Sequence, residues 1–234
     1  MGDSFEWDER THIREKLAMV GELAAGMAHE IRNPLTSIRG FLQLLQRKFD
    51  GAGPEHEYFQ IMLEELDRIN LIIKEFLSLA KPSQPQLKIT DINELISEAL
   101  LLAEQEALMN EVVLEFIPGE NIPLVFLDPA QIKQVVLNLV SNAIQATGPK
   151  GRVEVSSLYD PEEQMVIIGV KDNGPGIPPD KLHRIFEPFF TTKENGTGLG
   201  LTLSLRIVES HKGRIRVSSK VGEGSYFQVY LPLA

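Results

Sequence analysis

Between Ile13 and Phe49 apolar residues fall at 13, 17, 20, 24, 27, 31, 35, 38, 42, 45 and 49, in alternating steps of three and four. That is a heptad seam, and it predicts one long amphipathic helix. One extra four-residue step, between Ile31 and Leu35, locally unwinds such a seam. About 35 residues at 1.5 Å each give a helix of ~50 Å. Asp50-Gly-Ala-Gly-Pro54 breaks it with turn-forming residues, and a second seam follows at Phe59, Met62, Leu66, Ile69, Ile73, Phe76 and Ala80. Two amphipathic helices joined by a short turn form an antiparallel hairpin. One hairpin cannot cover both of its seams, so the pattern predicts a homodimer in which two hairpins make a four-helix bundle.

The pattern changes after Lys81-Pro-Ser-Gln-Pro-Gln86, a polar stretch with two prolines and no periodicity. Asp91-Ile-Asn-Glu94 reads as a capping box opening a helix to about Asn110. Val112–Ile117 and Pro123–Leu127 read as strands. Asp128-Pro129 is an N-cap followed by proline at the first helical position, and that helix runs to about Thr147. Strands are predicted at Arg152–Leu158, Met165–Lys171, Arg214–Ser219 and Tyr226–Leu231, with a helix at Leu199–His211. Asp172 to Gly198 is long and glycine-rich, the mark of a functional loop. The fold class is therefore α+β: a helical hairpin over residues 1–81, a linker at 82–86, and an α/β sandwich with a mixed sheet over 87–234.

Composition removes several classes of function. Of 234 residues 43% are apolar and 24% charged, too apolar for a disordered chain. The net charge of −10 is spread over both halves and disfavours nucleic acid as a partner. Cysteine is absent, which excludes disulfides, thiolate metal sites and cysteine nucleophiles. No apolar run approaches the ~18 residues that span a bilayer, and the acidic start is unlike a signal peptide. The segment is expected to be cytoplasmic as given.

Four segments carry candidate chemistry. His29 follows the seam position Met27 by two residues and so faces solvent; Glu30 adjoins it, and Pro34, within the helix, removes the hydrogen bond to the Glu30 carbonyl and bends the helix. The histidines at 12, 56, 183 and 211 lack such surroundings. On the helix after Asp128, Asn138 and Asn142 share a face opposite the apolar stripe Ile132, Val135, Val136, Leu139, Val140 and Ala143. An amide oxygen there suits a hard cation such as Mg²⁺ beside phosphates, although paired asparagines alone are more often a solvated face. Asp172-Asn-Gly-Pro-Gly-Ile177 ends a strand in a turn; its aspartate either caps the turn or accepts a hydrogen bond from an exocyclic amine. Asn195-Gly-Thr-Gly-Leu-Gly-Leu201 sets alternate glycines before a helix, where backbone N–H groups bind phosphate. It is neither a Walker A loop nor a Rossmann fingerprint.

Taken together in order, His-Glu-Ile-Arg-Asn-Pro-Leu (29–35), the Asn138/Asn142 helix, Asp172-Asn-Gly-Pro-Gly, Phe186-Glu-Pro-Phe-Phe-Thr-Thr-Lys193 and Gly196-Thr-Gly-Leu-Gly-Leu201 resemble the sensor histidine kinases over residues 10 to 234. The wording of the histidine and phenylalanine segments is most similar to the sporulation and nitrogen-regulation members, those of bacilli above all. The resemblance implies a dimerisation and histidine-phosphotransfer hairpin followed by an ATP-binding domain of the gyrase–Hsp90–kinase–MutL type. It implies that His29 is phosphorylated from ATP with Glu30 as general base. Glu30 and Asn33 match a motif that hydrolyses phospho-aspartate, so phosphatase activity toward the regulator is implied as well. Asn138 matches the Mg²⁺ ligand, Asn142 a phosphate and metal contact, and Asp172 the adenine-binding aspartate in a pocket shaped by Gly174 and Gly176. Gly196, Thr197, Gly198, Leu199 and Gly200 match the phosphate loop. Residues 178 to 197 match a lid whose Lys193 reaches the γ-phosphate and whose Phe186, Phe189 and Phe190 pack it on the bundle.

The implied partners are a second copy, a response regulator whose receiver aspartate takes the phosphoryl group, and, by family precedent, a small protein inhibitor on the bundle. A sporulation phosphorelay is the implied setting, with a membrane-anchored sensor region beyond this segment. Two other readings compete. An ATP-driven clamp of the gyrase or MutL class carries a glutamate four residues before the phosphate-side asparagine; here that position is Asn138, which cannot act as a general base. A non-enzymatic scaffold predicts lost motifs, and all five are present.

Overall fold

The computed structural model describes residues 4–6, 34–45, 54–80, 85–193 and 196–233. The chain divides into two compact units, residues 10–83 and residues 84–234 together with 1–9.

The first unit is a helical hairpin. Helix α1 (34–45) and helix α2 (Pro54–Ala80) bury Leu35, Leu42, Phe59 and Leu66 between them, with Leu63, Ile69 and Ile73 packed alongside. Arg39 pairs with Asp67 across the helices. The seam is used unevenly. Leu35 and Leu42 are buried, whereas Ile38 and Leu45, the alternate seam positions of α1, remain 48% and 42% exposed. Met62 on α2 behaves in the same way, and Phe41, Leu44, Tyr58 and Ile61 add to an apolar surface that one hairpin leaves open.

The second unit is a two-layer α/β sandwich. Its strands are β1 (Ser4–Glu6), β2 (Lys88–Thr90), β3 (Val113–Ile117), β4 (Val125–Leu127), β5 (Arg152–Asp160), β6 (Met165–Asp172), β7 (Arg214–Lys220) and β8 (Gly224–Pro232). The main sheet runs β1-β7-β8-β6-β5-β3, parallel only between β3 and β5, so it is mixed; β2 and β4 form a separate antiparallel ribbon. Helices α3 (Ile92–Met109), α4 (Pro129–Thr147) and α6 (Gly200–Ser210) pack on the sheet, and α5 (Pro179–Leu182) is a single turn. Register decides which side chains meet the helices. Val153, Val155, Val166, Ile168, Val170, Phe227, Val229, Ile215 and Val217 fall on one face through the pairs Val155↔Val170, Ile168↔Val229 and Val217↔Phe227, and all are buried. Asp172 is the last member of the Val166, Ile168, Val170 row, so the two-residue period points its carboxylate into the same layer.

Two features depart from the sequence reading. The domain boundaries expected there place residues 1–81 with the hairpin, but Ser4–Glu6 pairs with β7, which would otherwise end the sheet with unpaired N–H and C=O groups. The ribbon strand β2 is missing from the sequence reading because three residues are too few to show a two-residue period.

Candidate functional site

Helix α4 organises the site. Asp128 caps it, Oδ1 accepting from the N–H groups of Ala130 (3.0 Å) and Gln131 (3.2 Å), and Gly148 ends it at φ +68°. The stripe Ile132, Val135, Val136, Leu139, Val140, Ala143 and Ile144 is buried, which fixes how the helix is rotated. Asn138, Asn142 and Ala146 then lie at four-residue steps along another face, and each meets a different part of the glycine-rich chain. Asn138 Nδ2 donates to the Gly200 carbonyl (3.0 Å) and to Ser204 Oγ (3.3 Å). Asn142 Oδ1 accepts from Lys193 Nζ (2.9 Å). The Ala146 carbonyl oxygen would lie 3.1 Å from a Cβ at Gly174, a tight contact, so glycine eases the close approach of that turn to α4. Eight residues of helix, ~12 Å, therefore connect the phosphate-type loop to the Asp172 turn.

At one end, Asp172 is 5% exposed. Its Oδ1 accepts from the N–H groups of Gly174 (2.9 Å) and Ser225 (3.2 Å). Burial nevertheless raises its pKa above the ordinary carboxylate value, with those hydrogen bonds opposing the rise. A buried carboxylate at a strand end is a strong acceptor for an N–H donor. Gly176, at φ +70°, serves the turn: a Cβ there would overlap the Lys220 carbonyl, which packs the turn against the β7–β8 connection.

At the other end, α6 begins without a side-chain cap on Leu199, unlike α3 and α4, which Asp91 and Asp128 cap. Among the described residues no side chain caps its first N–H groups, which suit an anion. Leu199 itself is fully buried, so only its backbone can face a ligand. Gly198 adopts φ +68°, and its carbonyl accepts from Phe189 N (3.0 Å), so the lid crosses the glycine loop there. Gly196 N donates to the Lys193 carbonyl (3.3 Å), and Thr197 Oγ1 accepts from Leu199 N (3.3 Å). Among the described residues nothing donates to Asn138 Oδ1, which leaves an amide oxygen for a hard cation beside phosphates, and the residues present fit Mg²⁺ in that sense.

Lys193 is the lid residue that reaches the helix, donating to Asn142 and also to Gln145 Oε1 (2.8 Å). Burial lowers its pKa below the ordinary amine value, and the nearby charge of Glu106 opposes this. Glu106 Oε1 in turn accepts from Ser141 Oγ (2.8 Å) and Gln145 Nε2 (2.9 Å). Sequence reasoning missed Glu106, Ser141 and Gln145; the polar run Ser141, Asn142, Gln145 on α4 was the available signal, but Glu106 reaches it from another helix. Phe186 is buried and its carbonyl accepts from Thr202 Oγ1 (3.0 Å), whereas Phe189 is 56% exposed and Phe190 lies under the Arg184 guanidinium. His29, Glu30 and Asn33, and with them the bend expected at Pro34, lie outside the described residues.

The arrangement suits a nucleotide, with an acceptor for a base amine beside the C-terminal end of α4 and amide oxygens, an ammonium and the start of α6 along the helix from Asn138 to Gln145. Comparison with known proteins agrees. Residues 127–234 match the family model for histidine kinase-, DNA gyrase B- and HSP90-like ATPases, and residues 19–85 match the His Kinase A (phospho-acceptor) domain. The sensor histidine kinase ZraS of Salmonella typhimurium is 43% identical over 94% of this chain and 47% of its own. Sporulation kinase A of Bacillus subtilis is 44% identical over 93% of this chain and 35% of its own. The chain thus spans about half the length, or less, of these curated relatives. Full-length ShkA in complex with AMPPNP superposes with a TM-score of 0.81 at 27% identity, over 91% of this chain and 46% of that one. The catalytic domain of the histidine kinase ThkA is 36% identical over 63% of this chain and 96% of its own, with a TM-score of 0.56. ThkA in complex with the response regulator TrrA covers 97% of this chain and 65% of its own at 34% identity, with a TM-score of 0.70.

Proposed function

Given that this chain belongs to the histidine kinases, we propose that it is the catalytic core of a sensor kinase that phosphorylates His29 from ATP and passes the phosphoryl group to an aspartate of a response regulator. The observation that carries the reading is the single face of α4 on which Asn138, Asn142 and Ala146 meet the glycine loop, the lid lysine and the Asp172 turn. In the proposal Asp172 accepts from the adenine amine, the uncapped start of α6 and Gly196–Gly200 bind phosphate oxygens, and Lys193 moves from its amide partners to the γ-phosphate. Asn138 Oδ1, with Asn142 beside it, would hold Mg²⁺, which when bound neutralises phosphate charge. The neutral ring nitrogen of His29 forms the new N–P bond as the bond from the γ-phosphorus to the bridging oxygen breaks; ADP departs, and Glu30 takes the proton from the other ring nitrogen.

The clamp-ATPase reading has a specific observation against it. Asn138 occupies the place of the water-activating glutamate, and its Nδ2 donates to the Gly200 carbonyl and to Ser204 Oγ, which hold it in place. Such a site retains ATP for an incoming imidazole. Dimerisation belongs to the same proposal and is supported by the half-used seam of the hairpin. A regulator as partner is supported by the ThkA complex with TrrA. Phosphatase activity through Glu30 and Asn33, and a small inhibitor on the bundle, rest on the family resemblance alone. The sporulation relay is supported by the sporulation kinases among the relatives, while ZraS matches equally well, so the regulator itself must be identified by phosphotransfer. No described helix is long and apolar enough to cross a membrane; the proposed full-length protein carries its anchor in a sensor region outside this segment.

The deciding experiment is incubation with γ-labelled ATP and Mg²⁺. Acid-labile, alkali-stable label on the wild-type chain that disappears in His29→Gln is the expected result. Label that persists in His29→Gln would place the phosphoacceptor elsewhere, and steady phosphate release without label would favour the clamp.

A further inference from the structure

We propose that Asp128 is a positioning residue for phosphoryl transfer, because its carboxylate fastens the incoming chain to the first turn of the helix that carries Asn138 and Asn142. The proposal rests on the kinase reading above. Asp128 is 7% exposed. Capping α4 engages only Oδ1. The second oxygen, Oδ2, accepts from the backbone N–H of Gln86 (2.8 Å), the last residue of the proline-containing linker. Two residues later β2 begins, and Lys88 pairs with Leu127, the residue before Asp128. The entering chain is thus joined to the start of α4 at two adjacent points, one a charge-assisted hydrogen bond.

The contrast with α3 shows that the second bond is not a requirement of capping. Asp91 caps α3 through Oδ1 alone, accepting from Asn93 (2.8 Å) and Glu94 (3.1 Å). Asp128 also reaches the third nucleotide-side helix. Its backbone N–H donates to Nε2 of the buried His211 (3.0 Å), whose Nδ1 lies 2.8 Å from the Ile207 carbonyl. That assigns the neutral Nδ1–H tautomer and ties the end of α6 to the start of α4. A twist or pull arriving along the linker is therefore applied to α4 and α6 together, the two helices that the proposed site uses. A cap that served only helix stability would need no acceptor aimed at the linker.

The test uses the whole chain. Asp128→Asn retains an excellent N-cap but has one acceptor oxygen, so Gln86 N–H loses its partner. Gln86→Pro removes the donor and leaves Asp128 untouched. Affinity for a non-hydrolysable ATP analogue with Mg²⁺ is expected to stay within about twofold in both variants while the rate of His29 labelling falls about tenfold or more, the double variant being no slower than either single one. A nitroxide on Leu87→Cys, unique because the chain has no cysteine, is expected to gain mobility in both. Wild-type labelling in Asp128→Asn, a loss of nucleotide affinity that tracks the loss of rate, or unchanged nitroxide mobility overturns the proposal. A wild-type chain that takes no label at all defeats the kinase reading and the catalytic part of the proposal with it, whereas the nitroxide still decides whether the tie exists.

Discussion

Asp172 is under two opposing demands. The sheet register buries it, and burial raises its pKa, so the folded chain binds a proton at higher pH than the unfolded chain does. Stability must then fall as pH rises from the ordinary carboxylate value through the raised one, and level off above it. In the proposed role as acceptor for a base amine, nucleotide binding is expected to run the other way, since the ionised carboxylate is the stronger acceptor and is lost as pH falls through the same interval. Asp172→Asn keeps an acceptor for Gly174 and Ser225 and removes the buried charge. It is expected to melt no lower than the wild type at neutral pH, to lose that part of the pH dependence, and to bind an ATP analogue at least about tenfold more weakly. Paired thermal melts and titrations across pH check both halves. The aspartate as a residue was legible from its turn motif; its burial was not, because burial depends on which partner strands flank β6.

Among the elements, the crossing of the lid over the glycine loop is tightly constrained. Gly198 lies at φ +68°, and a Cβ there would overlap the Phe189 carbonyl carbon. Gly198→Ala therefore meets both backbone strain and a backbone clash, with a cost of about 1–3 kcal/mol. Urea denaturation is expected to show that loss, and nucleotide titration a greater one, because the same crossing sets Lys193 against Asn142. Helix α4 was the most legible element: its Asp-Pro start, its apolar stripe and its end at Thr147 could all be read from spacing and capping chemistry. The cluster Glu106, Ser141, Gln145 and Lys193 was not, since three separate chain segments build it and no local pattern records their meeting.

For the whole molecule, the hairpin makes the clearest statement about assembly. The seam residues Leu35, Leu42, Phe59 and Leu66 are buried within the chain, whereas Ile38, Leu45 and Met62 stay open, and Phe41, beside the seam, is 67% exposed. Phe41→Glu is expected to leave the intrachain core of Leu35, Leu42, Phe59 and Leu66 intact while weakening self-association by about tenfold or more. Sedimentation equilibrium reads this directly: a variant that stays as dimeric as the wild type would show that this surface is not the contact between copies.

By itself the amino-acid order determined the helical periods, the caps and the identity of the nucleotide-type motifs, because each depends on residues within a few positions of one another. Tertiary structure alone decided that Asn138, Asn142 and Ala146 meet three distant segments, that Asp172 is buried, that Ser4–Glu6 pairs with β7, and that Asp128 spends its second oxygen on the linker. Those outcomes depend on strand register and helix rotation, which are set by the burial of the whole apolar face and leave no mark on local spacing.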